Sequence, residues 1–479
     1  MTRDQIIGGR PAPSSRPAPV PLDPSRHRPG PTRTDDRKVT TGAIVVAGLF
    51  LLAAGLSLVA QGAGATVLSP WLPIHLALAG GASTAIAGVM PFFVSALAAG
   101  HPAPSRLRAG AVATVAFGAG LVALRGVLPA LPGLPGPMGA LGGMMASGPA
   151  AALLPPIGGS IYLVGIGLVA AAVRASGRSG LMMRRPIVTW GYQLAVLNVA
   201  VGATLATLML AGFPPVLEHW DRLKPAHAWT NVIGFVSLVI VSTLLHFLPT
   251  VLGGLIVPRR SAIYAVLGIA LGAPLAGTGL LFGLGPMAGG GAVLVAIGAG
   301  ATGLEAVRVV RARGRWTTDL GWHRMASAGL LAGVAWFVIG CCMAAGLVVL
   351  GDASAGSWST PLVIAPLAIG WIVQVIVASW THLLPSVGPG GPVEHARQRV
   401  VLGRLATLRL VGLNTGTALV WAGLVPGGGP APWVVPTGAT LVTLAILASV
   451  VLAGQALRLV QGGRPAAPPL PATARGRSE

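Results

Sequence analysis

Four of the nine histidines stand inside long apolar runs, where a polar ring is costly and therefore informative. His75 opens HLALAGGASTAIAGVMPFFV, His227 and His246 bracket HAWTNVIGFVSLVIVSTLLH, and His382 sits in GWIVQVIVASWTHLLPSV. His227 and His246 are 19 residues apart. At ~1.5 Å per residue a helix would hold them about 28 Å apart, one on each side of a bilayer core. Depth then sorts the four into two layers: His75 with His227 near one surface, His246 with His382 near the other. Neutral imidazoles contributed at matched depth by two helices can be axial ligands of haem iron or ligands of copper. The competing interpretation is that each ring is an interfacial polar residue at a helix end.

A repeat bears on that choice. Gly234–Val251 aligns with Gly370–Val387 at a constant offset of 136, with eight of 18 positions identical, including Gly, His and Pro in the pattern G-x11-H-x2-P. An interfacial role does not require that register, so His246 and His382 are the pair the repeat favours. Arg259, Arg260, Arg397, Arg399 and Arg404 fall near the same layer, where guanidinium groups could pair the propionates of a haem. Gly80, Gly81, Gly234 and Gly370 could leave room for a flat macrocycle. His27, His101, His219, His323 and His395 fall in tails or loops and read as solvated.

The elements that must carry these residues are membrane helices. The 479 residues are 53% hydrophobic and 9% charged, with a mean hydropathy of +0.78, which excludes a soluble globular domain. Twelve apolar runs are long enough to span, at about 41–61, 73–98, 109–130, 150–173, 187–213, 227–252, 262–283, 285–309, 324–350, 361–386, 403–425 and 434–459. The expected fold is an all-α polytopic membrane protein of about 12 helices. Histidines on the second, sixth and tenth spans imply three four-helix units. Residues 1–38 and 461–479 read as basic, proline-rich disordered tails around a transmembrane domain at 39–460. With both termini cytoplasmic, all but three of the 32 basic residues fall inside, the exceptions being Arg125, Arg222 and Lys224. Thirty arginines against only Lys38 and Lys224 read as the bias of a GC-rich bacterial genome, so the expected location is a bacterial plasma membrane, in contact with lipid. The net charge of +21 is a topology signal and not a nucleic-acid footprint, because the basic residues lie in short loops between apolar runs.

Other side chains narrow the chemistry. No carboxylate falls at mid-membrane, which weakens proton-coupled transport. Cys341 and Cys342 are adjacent in an apolar run and read as packing residues. Asn198 and Asn414 read as hydrogen-bonding partners between helices. Phosphate-loop, HExxH and CxxCH motifs are absent from the sequence.

Twelve spans with histidines on the second, sixth and tenth resemble the scaffold of haem-copper oxidase subunit I. The strings HAWTNVIGFVSLVIVSTLLHFLPTVL and HLALAGGASTAIAGVMPFF, with LRLVGLNTG, are more specifically similar to the NnrS-type haem- and copper-containing family and to the membrane part of certain bacterial multicopper oxidases. The resemblance implies haem b, with copper as a second candidate, a redox partner protein, and a role in respiratory or nitrogen-oxide metabolism. It places His75 at an outer haem ligand and His227 near a copper ligand. The seventh span has no paired histidines and the outer half of the tenth lacks two, so the oxygen-reducing centre of the oxidases is incomplete here. The alternatives are a small-solute permease with histidines as substrate contacts, and a cofactor-free membrane partner of a redox enzyme.

Overall fold

The computed structural model describes residues 33–98, 101–133, 149–178, 186–256, 259–313, 321–351, 360–425 and 431–459. Most of both expected tails therefore lies outside the described residues, although a helix already begins at Arg33, inside the segment expected to be tail. Eleven helices are long and apolar enough to cross a membrane. They are α1 (Arg37–Gly62), α2 (Leu72–Leu97), α3 (Ser105–Ala130), α4 (Ala152–Ser176), α5 (Ile187–Leu210), α6 (Trp220–Leu252), α7 (Arg260–Phe282), α8 (Gly285–Arg313), α9 (His323–Leu350), α10 (Leu362–Val387) and, after two further helices, α13 (Val434–Arg458). Between α10 and α13 come a short amphipathic helix, α11 (Pro392–Leu402), and α12 (Ala406–Leu424). The chain is an all-α polytopic membrane protein.

The eleventh expected span, 403–425, is a helix, α12, but Arg409 and Asn414 make it less apolar than the others, and it is not among the eleven helices long and apolar enough to cross a membrane. Arg409, expected among loop charges, is 2% exposed: it donates from Nη1 to Ser449 Oγ at 3.4 Å and from Nη2 to the Leu402 carbonyl. Arg108 at the start of α3 is likewise fully buried, donating to Thr40 Oγ1 at 2.8 Å. A buried guanidinium survives only when such acceptors replace water, and here each pins the first turn of its helix to a neighbour.

Three helix pairs repeat one construction. α3 with α4, α7 with α8, and α12 with α13 form the most extensive antiparallel contacts in the chain. Each is closed through small residues: Gly118 against Gly158, Gly268 against Gly298, Gly416 against Gly438. A Cβ on Gly272 would stand 2.7 Å from the Gly291 carbonyl and 2.8 Å from Val295 N, so the α7 and α8 backbones are in direct contact. Without a hydrophobic effect between helices in lipid, this close packing supplies the association energy.

The histidine-bearing helices are the innermost. The most apolar stretches of α6, α10 and α2 are 89%, 78% and 72% buried, against 28–61% for the other spans. Each contains a π-helical segment: Leu76–Ala82 in α2, Trp229–Ser237 in α6, Ala365–Val373 in α10. The second and third are related by the same offset of 136 read in the sequence. These segments touch one another pairwise at the centre of the bundle. The widened turn is completed by side chains, since Ser83 Oγ donates to Leu78 O at 2.9 Å and Ser237 Oγ to Val232 O at 2.7 Å, each five residues back. Ser83 also accepts from Tyr162 OH at 2.8 Å, and Ser237 from Trp371 Nε1 at 3.0 Å. Trp371 thereby ties α10 to α6, and its ring stacks on Phe337 with centroids 4.5 Å apart.

Candidate functional site

The first end of the bundle, where α2 and α6 begin, brings His75 and His227 together. Their ring centroids are 6.2 Å apart and their planes differ by 7°. Each ring stands just before a π-helical segment, His75 immediately and His227 with only Ala228 between. The position in α10 that matches His227 at the offset of 136 is Val363, fully buried, so the third unit contributes no imidazole to this layer.

Both rings are held by the nitrogen nearer the backbone. His75 Nδ1 lies 3.0 Å from the Trp71 carbonyl, and His227 Nδ1 lies 2.9 Å from the Gly202 carbonyl of α5. A carbonyl can only accept, so the His75 contact places its proton on Nδ1 and leaves Nε2 with its lone pair, whereas His227 Nδ1 stands between the Gly202 carbonyl and the Asn231 amide. Among the described residues neither Nε2 has a hydrogen-bond partner. Trp71 also packs edge-on against His75, with centroids 4.8 Å apart. Asn231, one turn along α6, donates from Nδ2 to the His227 carbonyl at 2.8 Å and lies 3.0 Å from His227 Nδ1.

At the opposite end, His246 is 5% exposed and His382 is half-buried. Phe247, the residue after His246, meets the His382 ring edge-on at 5.5 Å between centroids and Phe93 at 5.8 Å, so both histidines share one aromatic layer. His323 and Arg399 are close enough to His382 to act on it electrostatically. The solvated reading of His323 is corrected: it lies in the first turn of α9, half-buried, with Nε2 against the Val251 carbonyl at the end of α6. A helix that starts beside the end of α6 gives this ring a carbonyl to bind in place of water.

The five arginines considered for propionates all lie at this second end. Arg259 is the residue before α7 and Arg260 its first, Arg397 and Arg399 are on α11, and Arg404 precedes α12; all but the half-exposed Arg259 are exposed. They are a bilayer away from His75 and His227, where the basic residues are Arg222 and Lys224 of α6 and Arg125 of α3.

The four glycines weighed as a macrocycle slot are filled by protein. Gly80 faces Phe50, Gly81 faces Leu51, Gly234 faces Asn198 with a Cβ distance of 2.9 Å, and Gly370 faces Trp336. They set helix spacing. Asn414 does bond between helices, accepting from Trp336 Nε1 at 2.9 Å and Gln374 Nε2 at 3.4 Å. Cys341 is buried, whereas Cys342 is exposed. Sequence reasoning missed Asn231 and the Gly202 carbonyl. Asn231 is four residues from His227 on the same helical face and was legible by spacing, whereas a backbone acceptor on another helix has no sequence signature.

Among the described residues, no group of three His, Cys, Asp or Glu converges as a metal site. No family model matches the chain, and no curated protein matches it.

Proposed function

We propose that the protein binds haem b between His75 and His227 and carries electrons in a bacterial plasma membrane, with both termini cytoplasmic. The observation that carries this reading is that two of the innermost, histidine-bearing helices, α2 and α6, bring His75 and His227 together at one end of the bundle, their rings stacked with centroids 6.2 Å apart. Haem suits the pair because its iron takes four ligands from the macrocycle and needs only two from the protein. Copper held by the two rings alone is the outcome a metal analysis would separate.

The residues present fit the group in three respects. Both Nδ1 atoms lie against backbone carbonyls, which fixes ring orientation. Arg222, Lys224 and Arg125 supply cations at the same end for carboxylates. Trp71 shields one edge of His75. When bound, the group would supply one-electron chemistry, and His75 and His227 would be the residues that hold it. That agrees with the incomplete oxygen-reducing centre, and with a respiratory or nitrogen-oxide role exercised through a redox partner, as the sequence resemblance implies.

Purified protein should show a Soret band that His75→Ala or His227→Ala removes while His246→Ala and His382→Ala leave it largely in place. A band lost only with the inner histidines would move the site to the other layer. A colourless preparation would end the haem reading.

A further inference from the structure

The arginines that stand too far from His75 and His227 to serve them form a pattern of their own. α11 is amphipathic in an unusual sense. Gln398, Val401 and Leu402 turn to the protein, at 1%, 8% and 2% exposure, and Gln398 Nε2 donates to the Pro389 carbonyl at 3.0 Å. Glu394 is used in the helix cap, where it accepts from the Gly391 N–H at 2.8 Å, an interaction that holds its carboxyl below the usual carboxylate range. The opposite face carries Val393 and Val400, 61% and 67% exposed. At ~100° per residue these two share one stripe with Ala396, flanked on one side by Arg397 and on the other by Arg399. An apolar stripe between two guanidinium groups is the pattern of a helix lying in a membrane interface, its cations reaching headgroups while its valines enter the acyl boundary.

The stripe does not stop with α11. Leu405, Leu408 and Val411 continue it onto the first turns of α12, at 54%, 68% and 55% exposure, with Arg404 exposed at the junction. Leu405 holds the only positive φ of a non-glycine residue among those described, 54°. A left-handed backbone is strained outside glycine, and here it stands at the junction between α11 and α12. Continuity with the apolar outer surface of α12 points to the medium that covers the stripe.

We infer that α11 and the start of α12 form an interfacial site for anionic phospholipids, whose headgroup phosphates are bound by Arg397 on one side of the stripe, Arg399 on the other and Arg404 at the junction, while Val393, Val400 and Leu408 lie among the acyl chains. Charge complementarity favours lipid over a soluble protein: the face combines cations with apolar side chains and spends its one carboxylate in the cap.

The test uses the full chain with Cys342→Ser and a fluorophore on Val400→Cys, in nanodiscs of phosphatidylcholine with or without phosphatidylglycerol. Lipid spin-labelled near the headgroup should quench the probe and aqueous iodide should not; free access of iodide would overturn the site and leave the face to a soluble partner. In unlabelled protein, spin-labelled phosphatidylglycerol should be preferred over phosphatidylcholine, and the preference should fall about fivefold for each arginine changed to glutamine. Displacement of the labelled lipid by inorganic phosphate would show a soluble-anion site and overturn the proposal. Should the triple variant not fold, the quenching measurement in the wild-type background still decides.

Discussion

The His227 ring depends on a residue that has no side chain. Gly202 offers its carbonyl to Nδ1 at 2.9 Å, and a Cβ at that position would collide with the Asn231 amide and stand 2.6 Å from Thr230 Oγ1. Gly202→Ala therefore has to push α5 from α6 and lengthen the bond that orients the imidazole. Outer partners of this kind are worth roughly 10–100-fold in metal affinity. The expected outcome is a helical, folded variant with haem occupancy reduced by at least about tenfold, read from the ratio of Soret to protein absorbance. Unchanged occupancy and an unchanged reduction potential would mean that the Gly202 carbonyl is incidental. The same close approach explains why Asn231 could be suspected from its spacing and Gly202 could not. One is a polar side chain on the ligand's own helix, the other a glycine among seventy.

At the scale of elements, the recurrent motif is a helix pair joined backbone to backbone. α7 and α8 are the most tightly joined, and Gly272 meets the Gly291 carbonyl with no space for a side chain. Gly272→Val should destabilise the protein by ~1–3 kcal/mol through overpacking, seen as a lower unfolding temperature in detergent. A change on the outer surface of α8, such as Ile297→Val, should not do so, because Ile297 is 52% exposed. Equal effects from both would contradict the pairing. The π-helical segments belong to this scale as well. A reading at 3.6 residues per turn places His227 and His246 about 28 Å apart on one straight helix. A segment with hydrogen bonds five residues apart shortens that path and rotates the face beyond it, so the partners of the second histidine layer cannot be assigned by helical phase alone.

At the scale of the molecule, α2, α6 and α10 form the centre and the remaining spans surround them. α1 packs against α10 and α13, with Gly48 beside Trp380 and Gly55 beside Thr443, so the first and third units meet. Orientation in the membrane follows from the charges. Reporter fusions in the basic segment after α4 should be active on the cytoplasmic side, and fusions after Phe213 on the other. The reverse result would invert the bundle and move the His75–His227 pair to the cytoplasmic face.

The sequence by itself determined the class of the protein, because hydropathy and loop charge respond to the bilayer directly and need no tertiary contact. It determined that two helices, α6 and α10, are equivalent, because the offset of 136 is a property of the chain. It also found the four histidines. What it ranked differently was their pairing: repetition favoured His246 with His382, whereas the histidine rings described as stacked on each other are His75 and His227. A repeat reports common descent of helices, not which side chains converge. Convergence is set by how the helices cross, by π-helical turns that shift their phase, and by glycines whose neighbours lie on other helices. Those are decided only when the helices pack. For the same reason two arginines read as loop charges, Arg108 and Arg409, are buried, while the exposed ones on α11 face outward beside valines.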